Sequence, residues 1–166
     1  MPPPSAPCTD TGGPLAPIGV LVIDDQRAVR EGLARLIACA QIPLRCVSTA
    51  ATGAEALSTA ALLHPEVIVL DVDLAGEDGL MLLPQLSLTA SVLVLTSHGD
   101  DATRARATRL GACAFVEKHQ PAAELLGSIV AMGHLHMRGE KAPNHQGTSS
   151  LQAVTSSSAA RARRNP

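Results

Sequence analysis

The sequence predicts an α/β domain built on a parallel sheet with helices on both faces. Short continuous apolar runs, IGVLVI at 18–23, VIVL at 67–70 and VLVL at 92–95, suit strands buried on both sides. Segments with apolar residues at helical spacing separate these runs. The two patterns alternate strictly, five strands with five helices, which is the order expected of a parallel sheet under two helical layers.

The elements follow in order. Ile18–Ile23 is the first strand, and Ala28–Ala40 is a helix with Val29, Leu33, Leu36 and Ile37 on one stripe. Leu44–Val47 is a weaker strand. Gly53–Leu63 is helical, with Ala56, Leu57 and Ala60 on one side, and Val67–Leu70 is the third strand. Gly79–Leu88 is a helix that Pro84 must kink or bend in its first turn. Val92–Leu95 is the fourth strand, Asp100–Leu110 a polar-faced helix, and Cys113–Val116 the fifth strand. Pro121–Met132 closes the series, with Pro121 suited to a first helical turn.

Composition narrows the function classes. The 166 residues suffice for one domain with tails, and 46% hydrophobic content supports a core. One Phe, with no Trp or Tyr, leaves Val, Leu, Ile and Ala to fill that core and supplies no stacking platform for single-stranded nucleic acid. Charge is uneven: the body is acidic, whereas Arg138, Lys141, Arg161, Arg163 and Arg164 make the last segment basic. A solvated tail explains that segment; contact with a polyanion is the secondary reading. Cys8, Cys39, Cys46 and Cys113 form no metal-ligand or redox spacing. No signal peptide is visible, and no apolar stretch approaches the roughly 20 residues that span a bilayer, so a cytoplasmic location without membrane contact is expected. Residues 1–17, with six prolines, read as a flexible leader, and 136–166 as a disordered basic tail without a DNA-binding domain.

The polar residues that end the strands carry the functional signal. Strand one ends in Asp24-Asp25, strand three in Asp71, strand four in Thr96-Ser97 and strand five in Glu117-Lys118. Each alone is ordinary, because an Asp after a strand is usually a turn residue or helix cap. In a parallel sheet, however, all four ends open on one rim, where ligands bind. Three carboxylates together repel one another and raise one another's pKa. A hard divalent cation, Mg²⁺ or Mn²⁺, relieves that repulsion and neutralises an incoming phosphoryl group, with a Lys completing the clamp. Asp71 can then act as nucleophile, Asp24 and Asp25 as metal ligands, and Lys118 and Thr96 as partners of the phosphoryl oxygens.

The segments VLVIDDQRAVREGL, VIVLDVDLAGEDGL, VLVLTSHGD and GACAFVEKHQPAAELL resemble the receiver domain of two-component response regulators. The flavour is that of the branch usually linked to LuxR-type DNA-binding domains. The resemblance covers residues 18–135. It implies a flavodoxin-like (βα)5 three-layer sandwich with strand order 2-1-3-4-5. It implies that Asp71 is the phosphoacceptor, with Asp24, Asp25, Asp71 and the backbone carbonyl of Asp73 around Mg²⁺. It makes Thr96 and Phe115 the switch pair and Lys118 the phosphoryl-binding lysine. Asp73 and His98 stand where the family tunes phosphoryl lifetime, and a charge-assisted pair between them is one way to gate water. The implied partners are a sensor histidine kinase or histidine phosphotransfer protein as donor and an output protein as target. A homodimer through the face of helix four, strand five and helix five is a further implication.

Two departures stand out. Ala75 occupies a position that is usually Pro in the family, which predicts a looser loop, and His119 follows Lys118 where many members have Pro. Alternative readings are a haloacid dehalogenase-type phosphatase using Asp71 and Asp73, a degenerate receiver acting only through binding, and a truncated LuxR-type regulator.

Overall fold

The computed structural model describes residues 16–140. Most of the expected leader and tail therefore lies outside the described residues. Five parallel strands form the sheet: β1 (Ile18–Ile23), β2 (Leu44–Ala50), β3 (Val67–Asp71), β4 (Ser91–Thr96) and β5 (Ala114–Glu117), in the order β2-β1-β3-β4-β5. The helices are α1 (Arg27–Cys39), α2 (Gly53–Leu63), α3 (Leu83–Leu86), α4 (Asp101–Leu110) and α5 (Ala122–Met137). This is the flavodoxin-like arrangement implied by the motifs.

Alternation along the strands divides the core into two layers. Leu21, Ile23, Ile68, Leu70, Val92 and Val94 pack with Ala56, Leu83 and Ala107, on the side of α2, α3 and α4. Val20, Val22, Val67, Val69, Leu93 and Leu95 pack with Ile37, Leu125 and Ile129, on the side of α1 and α5. Both faces are dry, which is why β1, β3 and β4 read as unbroken apolar runs.

Most boundaries agree with the sequence to within a residue or two, and the larger differences have physical reasons. Strand β2 extends past Val47 to Ala50, because pairing with β1 continues through the polar Ser48 and Thr49. A register shift between Val20 and Leu21 leaves Val47 bulged, a common feature of edge strands. The helix expected at Gly79–Leu88 is broken into a 3-10 segment, Gly79–Leu82, and the single α-turn of α3, with Pro84 at its start. Pro121 caps α5 rather than entering its first turn, and α5 continues five residues beyond Met132, to Met137.

The loop after β3 also corrects an expectation. It is a tight two-stranded ribbon, not a loose segment: Asp73 pairs with Asp78 and Leu74 with Glu77. The two residues at its tip, Ala75 and Gly76, have φ of 54° and 89°. Two successive positive φ values are what a two-residue hairpin turn requires. Pro, fixed near −65°, does not fit at Ala75 in this turn. Ala occupies the left-handed region at a cost of about 1 kcal/mol.

Candidate functional site

Strand register assembles the site. Ile23 pairs with Leu70, so Asp24 and Asp71, the next residue on each strand, lie side by side. Asp71 pairs with Leu95, and Thr96 pairs with Glu117, which brings Thr96 and Lys118 to the same rim. The Lys118 backbone N–H donates to the Thr96 carbonyl at 2.7 Å, fixing the end of β5 against β4. From there the Lys118 ammonium donates to Asp24 Oδ2 and Asp71 Oδ2, each at 2.7 Å. Asp24 and Asp71 are almost fully buried, at 1% and 5% exposure, so this is an interior ion cluster at the mouth of the sheet.

One oxygen from each of Asp24, Asp25 and Asp71 lies within 4.8 Å of the others. An all-carboxylate donor set suits a hard cation such as Mg²⁺ or Mn²⁺, and each carboxylate retains lone pairs beyond those Lys118 uses. The Asp71 pKa is raised. Burial is the main cause; Lys118 opposes it, and the Asp24 charge adds to it. The repulsion expected from sequence is thus present but secondary to desolvation. Burial also works against the Lys118 charge, yet its two carboxylate partners outweigh burial and raise its pKa.

The acidic pair is held by a residue that the sequence reading passed over. Helix α1 begins after Gln26, whose side chain makes no cap bond, and its first turn has no acidic residue. Arg30 instead reaches back, and its Nη1 donates to the Asp24 and Asp25 carbonyls at 2.6 and 2.8 Å. The Gln26 N–H donates to Asp24 Oδ1 at 2.8 Å. These bonds fix the strand-to-helix junction and so aim both carboxylates. Arg30→Ala is expected to weaken Mg²⁺ binding about tenfold, the low end for groups that orient metal ligands, measured by titration calorimetry. Unchanged affinity would show that the junction holds its shape unaided.

The remaining candidates fall around this centre. Thr96 is buried, and its hydroxyl is turned to its own loop: it donates to the His98 carbonyl at 3.2 Å and accepts from the His98 N–H at 3.3 Å. Phe115 is half-buried against the α2–α4 side of the core. Asp73 and His98 form no ion pair. The Asp73 side chain is occupied locally, accepting from the Gly76 N–H at 3.0 Å within the ribbon turn. Asp73 is exposed and stands outside the three-carboxylate cluster, so the Asp71–Asp73 pairing of a dehalogenase-type phosphatase is not assembled.

A family model described as the response regulator receiver domain matches residues 20–130. The chain belongs to that family. The receiver is 35% identical over 117 residues to the transcriptional regulatory protein LiaR of Bacillus subtilis, a match covering 69% of this chain and 55% of LiaR. It is 35% identical over 111 residues to a protein-glutamate methylesterase/protein-glutamine glutaminase of Anaeromyxobacter dehalogenans, covering 66% of this chain and 32% of that protein. Among solved structures, a LuxR-family response regulator from Aurantimonas matches with a TM-score of 0.68 and 28% identity, covering 78% of this chain and 91% of that one. The receiver thus spans about half the length of LiaR and a third of the methylesterase. Receivers of this family are signalling modules of two-component systems and bind Mg²⁺ at an acidic cluster of the kind formed by Asp24, Asp25 and Asp71. Among the described residues, no helix is long and apolar enough to cross a membrane.

Proposed function

We propose that this receiver accepts a phosphoryl group on Asp71 from a histidine kinase or histidine phosphotransfer protein and signals by protein–protein binding in the cytoplasm. The observation that carries the reading is the Lys118 ammonium 2.7 Å from both buried carboxylates. Such a charge is preorganised for oxygens that arrive beside Asp71. In the transfer, an Asp71 oxygen forms a bond to phosphorus while the bond from phosphorus to the donor's imidazole nitrogen breaks. The leaving imidazole keeps that electron pair and takes a proton from solvent. Asp24, Asp25, Asp71 and the Asp73 carbonyl would hold the divalent cation, which supplies charge neutralisation when bound.

The added charge, about −1.5 to −2, draws the Thr96 hydroxyl away from His98 and towards the phosphoryl oxygens. Phe115 then turns into the vacated space, and the surface of α4, β5 and α5 is remodelled as the output or dimer face. The change is a shift between two populations of one fold. Asp73 and His98, acting separately at the rim, would set water access and so the lifetime of the acyl phosphate.

Incubation with acetyl phosphate and Mg²⁺, followed by a phosphate-affinity gel, tests the reading. Wild type is expected to give a retarded band that decays with time, and Asp71→Asn none. A band that persists in Asp71→Asn would place the acceptor elsewhere. Rapid turnover of phosphate esters without a phosphoprotein would restore the phosphatase reading.

A further inference from the structure

We propose that Arg104 is a latch that holds the resting receiver in its inactive state by clamping Phe115, and that it thereby sets how readily the site accepts phosphate. The proposal rests on the phosphoacceptor reading above. The Arg104 guanidinium lies over the Phe115 ring, 4.4 Å from its centroid. Its Nη1 reaches the Phe115 carbonyl at 3.5 Å, and its Nη2 stands 3.7 Å from Glu117 Oε1. One side chain of α4 therefore touches the ring, the backbone and a flanking carboxylate of β5. The Arg104 side chain keeps 45% of its surface in solvent, so it lies on the outside of the core and reaches Phe115 from the surface.

The loop that carries the switch hydroxyl runs straight into this clamp. After Thr96 and His98, Gly99 passes so close to β5 that a Cβ there would lie 2.8 Å from Phe115 Cε1 and 2.7 Å from Glu117 Oε1. Asp100 then caps α4, accepting from the Thr103 N–H at 2.6 Å, and its carbonyl accepts from the Arg104 N–H at 3.0 Å. A continuous path of contacts links Thr96 to Arg104. When the Thr96 hydroxyl leaves His98, Gly99 and the start of α4 lose their footing against Phe115. A ring that turns inward leaves the guanidinium with no π-face beneath it. The contact belongs to one state only, so it biases the equilibrium by its own strength. For an exposed cation–π contact, that bias is about two- to five-fold.

The sequence supplies its own reporter, because Phe115 is the only Phe in the chain. Protein labelled with ring-¹³C phenylalanine gives the carbon–proton signals of one ring. Titration with beryllofluoride and Mg²⁺, a stable mimic of the phosphoryl group, reads the switch directly. In wild type the ring signal is expected to move on saturation. In Arg104→Ala the starting signal is expected to lie part-way towards the saturated position. The apparent affinity should tighten about two- to five-fold, and the thermal midpoint should fall by no more than about a few degrees, the same lost contact read from the unfolding side. In a Phe115→Leu background, which removes the labelled ring so that affinity is read by titration calorimetry, Arg104→Ala should leave affinity unchanged. If wild type binds beryllofluoride and Arg104→Ala matches it in both signal and affinity, there is no latch. If the gain persists in the Phe115→Leu background, Arg104 acts through its charge and not through the ring, which also overturns the proposal. If wild type binds no beryllofluoride, the phosphoacceptor reading fails first and the latch with it.

Discussion

Lys118→Met is expected to lower phosphorylation by acetyl phosphate by about a hundredfold, the scale seen when one preorganised charge-stabilising donor is removed. It is also expected to destabilise the fold by about 3 kcal/mol, because Asp24 and Asp71 are left buried, adjacent and unpaired. The pH dependence separates this cause from simple loss of packing. In wild type, Lys118 opposes the upward pull of burial on the Asp71 pKa. Without it, only the Asp73 backbone hydrogen bond still opposes burial and the Asp24 charge, and the folded-state pKa rises further above its unfolded value. A group with a raised folded pKa contributes stability below its unfolded pKa and loses it as pH rises through the folded value. The variant should therefore approach wild type in acid and fall behind it as pH rises to neutrality. Mg²⁺ should close part of the gap by replacing the missing positive charge. Thermal midpoints from acid to neutral pH, with and without Mg²⁺, measure both effects. A gap that stays constant across pH would mean that the introduced thioether side chain merely packs badly.

The sequence was most legible where one residue type does one job. The apolar runs of β1, β3 and β4 announce strands buried on both faces, and the polar residues that end them mark the rim. Because strand period and parallel order are enough to put Asp24 beside Asp71, the acidic centre could be assembled on paper. What escaped was set by partners distant in sequence or by backbone shape. Strand β2 ran three residues past its apolar segment, since the ladder to β1 carries Ser48 and Thr49. Nothing in the spacing of α1 singles out Arg30, and only its curl back to two carbonyls reveals it. Arg104 likewise sits in a polar helix, and its contact with Phe115 crosses eleven residues. The Lys118 bond to Asp24 is likewise set by the fold, since a phosphoryl-binding role for that lysine does not require it. Ala75 misled in the other direction: loss of a proline suggested slack, whereas the chain forms a turn that proline cannot enter.

Gly79 is the residue whose importance no pattern revealed, and Gly79→Ala is expected to damage the site from a distance. The ribbon at 73–78 returns the chain onto the end of β3, and the Gly79 N–H donates to the Val72 carbonyl at 2.7 Å. A Cβ at Gly79 would meet the Asp71 carbonyl oxygen at 2.1 Å and the Val72 carbonyl oxygen at 3.1 Å. Both obstacles are backbone, so no side chain can rotate away, and the 71–72 peptide itself must move. Overpacking of this kind costs about 2–3 kcal/mol. The displaced peptide also carries the Asp71 side chain away from Lys118. A shift near 1 Å is enough to slow positioned chemistry by about a hundredfold. Gly127→Ala is the matched control, since a Cβ there meets nothing within 4 Å and α5 gains a better helix former. Midpoints of urea unfolding and the yield of phosphoprotein should thus fall in Gly79→Ala and hold or rise in Gly127→Ala. Equal phosphoprotein yields from the two variants would mean that the carboxylate of Asp71 is held by its own strand and not by the chain that folds back on it.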